Sequence, residues 1–384
     1  MNKRFWRFVL VAGTSVFLAG CGNKETKEAL QKSSALEAQK QYYDANNILT
    51  DALKAREIKI RTDAGSPPDS GTPIDPTVAD ALNKKVAADP EILKMERAQI
   101  PLYLHLERPD MASAVYTDIL LGNPGDTVVY DTLRDPDPVI RAGAVRVLGL
   151  NGKPEVIDAL VGATKDPDKD VRRAAVVALG MIKDPKVVPP LIDALKDSYW
   201  DARSEAANAL GQEHDGRAVK PLLDVVTDSD ATVESSAESA LLFLSRGPKA
   251  PAPADDLAAR LTDPSPKVVL VSAVCLAMLK DARSLPVLMK LVTSPDQTAR
   301  LDAVKGLGEE GDPSAIPTLR QTLKDPDINM RGWSIIGLGN LKDEASLPDL
   351  HAIVDDPTEP DSIKAAAQAA INHIAPEPAA TTGP

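Results

Sequence analysis

DPDKDVRRAAVVALGMIKDPKVVPPLIDALK, residues 166–196, is the stretch whose reading decides the fold. Alone it reads as two amphipathic helices split by a Gly and a Pro. Related stretches begin at Asp135, Asp166, Asp197, Asp228, Asp263, Ser294, Asp325 and Asp356, spaced 31, 31, 31, 35, 31, 31 and 31 residues apart. A fixed period of this size means stacked supersecondary units, each with an apolar face that only its neighbour can cover.

Counting the first residue of each unit as position 1, position 3 holds Asp137, Asp168, Asp230, Asp296 and Asp327. An Asp here can accept backbone N–H bonds at the start of a helix. Pro138 and Pro266 follow, at the first helical position, where proline is tolerated. Ala144, Ala175, Ala206, Ala237 and Ala303 are small enough for helices to approach closely. Leu148, Leu179, Leu210, Leu241, Leu276, Leu307 and Leu338 fill the seam. Gly149, Gly180, Gly211, Gly308 and Gly339 are expected to end or relax the first helix. Pro189, Pro286, Pro317 and Pro348 start a second helix, buried through Leu160, Leu191, Leu222, Leu288, Leu319 and Leu350.

The pattern resembles HEAT repeats, in the short bacterial form also found in phycobilisome lyases. The resemblance covers residues 135–375, about 7.5 repeats. It implies an all-α fold: a right-handed superhelical α-solenoid of stacked antiparallel helix pairs. It also implies a structural role for Arg141, Arg172, Arg203, Arg300 and Arg331, six residues after each unit's start. In the family these arginines bond the neighbouring Asp as a ladder. Glu234 and Val269 break the ladder in the fourth and fifth units. The fourth unit also replaces its Gly with Leu242 and carries the extra RGPKAPAPADD, residues 246–256. A hinge or change of curvature, or drift in a tolerant loop, accounts equally for these changes.

The first twenty-one residues run from basic MNKRFWR through the short apolar FVLVAGTSVF to Leu18-Ala19-Gly20-Cys21. The run is too short to span a bilayer and reads as a secretory signal, residues 1–20. Leu-Ala-Gly-Cys resembles the lipobox of bacterial lipoproteins. That resemblance implies cleavage before Cys21, diacylglycerol on its sulfur and an acyl chain such as palmitate on its amine. One chain holds a membrane only marginally, and this modification supplies more. An Asp after the Cys would retain such a protein at the inner membrane, but Gly22 and Asn23 follow. The expected address is the cell envelope: the outer membrane facing the periplasm in a diderm, otherwise the outer face of the cytoplasmic membrane.

Residues 21–28 are expected to be a polar tether, and 29–134 an N-terminal helical region with a Pro-rich loop at 66–77. Residues 95–126 resemble a tetratricopeptide unit, through Ala112, Tyr116, Ile119 and Asn123-Pro124. Ala45, Leu49 and Ala52 repeat the spacing. Alternatively, residues 109–134 are a divergent first copy of the downstream repeat. Residues 376–384 are expected to be a disordered tail.

Net charge is −12; residues 1–20 contribute +3, so the remainder carries −15. An acidic body argues against nucleic acid, whose phosphates demand Lys and Arg. The histidines, His105, His214, His351 and His373, form no HExxH and no pair at ligand spacing. Phosphate-binding glycine loops and a GxSxG nucleophile motif are also missing from the sequence. No catalytic residue, cofactor or metal is therefore expected. Cys275 stands where other units carry a small residue and reads as a buried core thiol.

Aromatic residues are only 3% of the chain, so their placement is informative. Tyr199 replaces the capping Asp; Trp200 and Trp333 occupy variable positions, which are expected to be exposed. Exposed Trp and Tyr are enriched among binding hot spots; local packing over a loop is the other account. The expected function is a lipid-anchored envelope scaffold or adaptor that binds partner proteins. A lyase-like enzyme or enzyme accessory is the alternative, and a spacer without a dedicated partner is a further one.

Overall fold

A computed structural model describes residues 23–63, 83, 86, 89–106, 108–122, 127–246 and 252–375. The expected signal peptide, Cys21, the 66–77 loop, Asn123-Pro124 and the C-terminal tail lie outside these residues. No strand occurs among the described residues, and the protein is an all-α solenoid of repeated helix pairs. None of the described helices is long and apolar enough to cross a membrane. The chain forms two compact units, Met1–Ala178 and Leu179–Pro384, which divide within the repeat array.

In the first unit, α1 (Asn23–Ala38), α2 (Tyr42–Asp63), α3 (Pro90–His105) and α4 (Pro109–Gly122) each pack on the next. Their core is Ala29, Ala45, Leu49, Met95 and Leu102, with Ala52 partly buried against it. Asp89 caps α3 through the Glu91 and Ile92 N–H groups and pairs with Arg56 at 2.8 Å. One expectation fails here. Residues 23–28 belong to α1 rather than to a tether, because Thr26, Ala29 and Ser33 already form a buried face at helical spacing. Between α1 and α2 the chain turns where Lys40 takes a left-handed conformation. The short α5 (Val128–Thr132) follows, then α6 (Pro138–Asn151), α7 (Ile157–Ala163) and α8 (Lys169–Gly180), whose last residues cross the division.

The second unit continues with α9 (Val188–Ala194), α10 (Trp200–Gln212), α11 (Val219–Val225), α12 (Ala231–Leu244) and α13 (Ala254–Ala258). It goes on through α14 (Pro266–Met278), α15 (Leu285–Leu291), α16 (Gln297–Glu310) and α17 (Ile316–Thr322). It closes with α18 (Ile328–Asn340), α19 (Leu347–Asp355) and α20 (Asp361–Ile374). Long first helices stack on one another and short second helices cover them. Leu210, Leu241, Leu276, Leu307 and Leu338 are fully buried in the seam, and Leu222, Leu288, Leu319 and Leu350 in the covering layer. Each such leucine contributes about 1.5–3 kcal/mol by leaving water.

Local chemistry explains the helix starts. Asp137, Asp230, Asp296 and Asp327 accept from backbone N–H groups two residues on, at 2.7–3.0 Å. Short 3-10 turns precede the second helices, and Asp184, Asp215 and Asp312 cap them in the same way.

The recurring glycines do more than end helices. A Cβ on Gly149 would lie 2.7 Å from that of Ala178, one on Gly211 2.9 Å from that of Ala240, and one on Gly308 2.8 Å from the Gly337 Cα. These glycines sit inside the last turn and let consecutive first helices touch. The chain has left the first helix by the third residue after this position, where Gly152 and Gly311 take positive φ; His214, Lys280 and Lys342 do so in the same register. Of the 246–256 insertion only the flanks are described. Ala252 N–H donates to the Leu244 carbonyl, and Leu257 is buried.

Candidate partner-binding surface

Each unit opens on a turn in which the first Asp accepts from the N–H two residues on, as Asp166 does from Asp168 and Asp228 from Asp230, both at 2.9 Å. The repeat arginine is built onto this turn. Arg141 donates to the carbonyls of Asp135 and Pro136 and, through Nε and Nη2, to both carboxylate oxygens of Asp166 at 2.8 Å. Arg203 does the same with the Asp197 carbonyl and with Asp228, at 2.8 and 2.7 Å. The bidentate guanidinium holds Asp166 and Asp228 below the usual carboxylate range, although partial burial opposes it.

The other arginines are built onto the same turn. Arg172 donates to the carbonyls of Asp166 and Pro167. Arg331 bonds the carbonyls of its own turn and reaches Glu359, three residues beyond the expected Asp356, at 2.9 Å. Arg300 bonds only the carbonyls of Ser294 and Pro295 among the described residues.

The break in the ladder is an inversion of charge. Glu234 stands in the arginine position, and Lys267 of the next unit reaches it at 3.3 Å and Glu238 at 2.7 Å. Burial lowers the Lys267 pKa, but the two glutamates together raise it further. Asp263, facing a Glu instead of an Arg, is held by Arg260 at 3.0 Å, which also bonds Asp224. Val269 replaces the next arginine, and Ser294 replaces its Asp, so neither is left as an orphan charge.

Of the three aromatic candidates, two sit together. Trp200 begins α10 and is 41% exposed; the half-buried Tyr199 precedes it, with ring centroids 6.0 Å apart, edge to face. Tyr199 stands at the helix N-cap without a side-chain cap bond. Trp333 is elsewhere and is not exposed as expected. Its ring packs against the buried cluster around Leu307 and Leu338, with the Lys305 ammonium 5.0 Å from its centroid. The reason is its position in the repeat: the equivalent Gly143, Ala174, Ser236 and Val271 are all buried. Sequence variety there reflects filling of space rather than exposure.

Cys275 is fully buried, and burial pushes its thiol up to about 12. Asp302 is half-buried, and burial first, then the charge of Glu238, raises its pKa. No group of three His, Cys, Asp or Glu is placed to hold a metal ion among the described residues.

Among solved structures, the chain is similar to Kap121p bound to Nup53p, with 14% identity and a TM-score of 0.51 over 92% of this chain and 45% of that one. It is also similar to YibA of Escherichia coli, with 20% identity and a TM-score of 0.41 over 64% and 92%. The CpcE–CpcF complex of phycocyanin lyase from Nostoc gives 20% identity and a TM-score of 0.29 over 64% and 86%. The first of these supports the solenoid fold; the other two carry no argument. No curated protein matches the sequence. The family model for HEAT repeats matches residues 127–211, 164–242 and 288–372, together just over half of the 384 residues. The chain belongs to the HEAT-repeat family.

Proposed function

We propose that this HEAT-repeat protein is a scaffold or adaptor of the cell envelope, anchored by lipid on Cys21, that binds partner proteins through its repeat surface. The observation that carries the reading is the Tyr199–Trp200 pair. An exposed tryptophan stands beside a tyrosine at a helix cap that other units give to Asp. Losing such a cap costs roughly 1 kcal/mol, and aromatic anchors of this kind dominate protein interfaces. The lipobox-like Leu18–Cys21 supports the anchor, and with it an envelope address in either kind of cell wall.

In-cell cross-linking with mass spectrometry tests the binding. Defined envelope proteins are expected to be captured, and Tyr199→Ala with Trp200→Ala should abolish capture while leaving the thermal midpoint nearly unchanged. A large stability loss would assign the pair to packing, and capture of nothing would favour a spacer. For the anchor, the wild-type chain should incorporate a fatty-acid label and sediment with membranes. Cys21→Ser should do neither; a labelled Cys21→Ser chain would refute the assignment.

A further inference from the structure

The start of α1 specifies a surface that touches the membrane, an inference that rests on the lipid-anchor reading of Cys21. α1 begins at Asn23, so one residue, Gly22, separates the anchored cysteine from the first helical residue. Two backbone steps reach at most about 7 Å, and a headgroup layer is about 5–8 Å deep. An anchor in that layer therefore holds the first turns of α1 at its surface, with no tether between. Charge is arranged to match. Residues 21–63 hold eight cations and seven carboxylates, a net +1. With +3 in residues 1–20 and −12 overall, residues 64–384 carry −16. The net acidic charge thus lies beyond α2, and an anionic bilayer repels it while accepting the segment next to the anchor.

The helix carries cations where that surface needs them. Lys24 and Lys27, one turn apart, are both exposed, whereas Thr26, Ala29 and Ser33 face the core. An open groove runs along α1 and is bordered by the start of α3. Lys27, Gln31 and Ser34 line it from α1, and Glu91 and Lys94 from α3. Glu91 pairs with Lys94 at 2.9 Å, yet the Lys94 side chain stays 56% exposed. Lys27 therefore leaves the groove with a net positive charge, and Gln31 and Ser34 add uncharged donors. We propose that the exposed face of α1, from Lys24 to Ser34, rests on the leaflet that holds the anchor. Lys24 and Lys27 bind lipid phosphates there, and the groove takes one anionic headgroup. Each lysine at such a surface strengthens attachment roughly fivefold.

The test reconstitutes the full lipidated chain into vesicles, with a fluorophore on Gln31→Cys and a headgroup spin-labelled lipid as quencher. Cys275 is fully buried and a lipidated Cys21 has no free thiol, so the introduced cysteine alone takes the label. A linker of about twelve Gly and Ser residues, roughly 20 Å in mean span, is inserted after Gly22, so that the anchor no longer enforces contact. In vesicles of equal parts phosphatidylethanolamine and phosphatidylglycerol, the probe should stay quenched despite the linker. It should be released in phosphatidylcholine alone, and in the anionic vesicles on adding salt. Lys24→Gln with Lys27→Gln should also release it there, a shift of roughly tenfold or more in the contact equilibrium, while melting as the wild type does. A linker-bearing chain quenched equally in both kinds of vesicle, indifferent to the two lysine substitutions, or never quenched overturns the proposal. The anchor fails separately: a wild-type chain that neither takes up a fatty-acid label nor floats with vesicles overturns that reading instead.

Discussion

The junction between α10 and α12 and the one between α12 and α14 solve the same problem differently. At the first, Gly211 presses on Ala240, and Arg203 closes a bidentate rung onto Asp228. At the second, Leu242 stands in the glycine position, Glu234 in the arginine position, and Lys267 spans the gap to two glutamates. The two losses belong together. A Cβ on Gly211 would already lie 2.9 Å from its neighbour, so a leucine there is incompatible with that helix spacing. The short, planar rung suits helices in contact; a flexible ammonium suits a junction that cannot close so far.

The harshest way to break the comparison is to impose the second junction on the first. Gly211→Leu puts a side chain where the Ala240 Cα lies 3.0 Å from a bare Cβ, and backbone cannot yield as a side-chain tip can. Overpacking of this kind should cost about 3 kcal/mol, read as a lower urea midpoint. The seam leucines offer a size standard: Leu241→Ala, fully buried beside Leu242, should lose about 2–5 kcal/mol.

Removing the charged groups sharpens the contrast. The side chains of Arg203 and Asp228 are 14% and 11% exposed, so Arg203→Met leaves a nearly buried carboxylate unpaired. A loss of about 2–3 kcal/mol is expected, toward the lower end of the range for buried pairs. Lys267 and its partners are about twice as exposed. Lys267→Met should lose roughly 1 kcal/mol or less, and the loss should shrink with added salt. Equal losses at the two sites would show that both junctions depend on their ion pairs alike.

A smaller effect of opposite sign is expected one turn from the rung. Tyr199→Asp restores the carboxylate that caps helices in the other units and should raise stability by about 1 kcal/mol. It should at the same time weaken capture of the partner. A variant both more stable and less adhesive is the signature of a position given to binding, whereas a destabilised Tyr199→Asp would show that the ring serves packing.

The period made the array legible, because Asp caps, seam leucines and second-helix prolines recur in fixed register and each has a local cause. What stayed hidden depends on neighbours. Gly149 and Gly308 read as helix ends because glycine's backbone freedom is visible in a sequence, whereas a helix packed against its missing Cβ is not. The actual ends at His214, Lys280 and Lys342 carry no glycine at all. Trp333 read as exposed because its position varies, yet the small residues filling that position are buried. Residues 23–28 read as a tether because their buried face is built from Thr, Ala and Ser rather than leucine. Glu234 was legible as a missing arginine, but its pairing with Lys267, 33 residues on, needs the fold to bring the two together.

The smallest expected effect separates the two junctions by pH. Asp228 has its pKa lowered by the Arg203 hydrogen bonds, so its contribution to stability is complete above the ordinary aspartate value of 3.8 and is lost as pH falls through the depressed folded value. Asp302, near the inverted junction, has the opposite sign. Burial and Glu238 raise its folded pKa, so ionising it opposes folding, and that penalty grows as pH rises from 3.8 through the folded value. Asp302→Asn removes the penalty. The variant should be slightly more stable than wild type at neutral pH and indistinguishable from it once pH is well below 3.8. Solvent screening keeps the gain modest, because the side chain is only half-buried. Urea midpoints measured across this pH range for Asp302→Asn and Asp228→Asn should diverge from wild type in opposite directions as pH rises. A destabilised Asp302→Asn at neutral pH would mean that Lys267 and Lys305 together hold the carboxylate more strongly than burial opposes it.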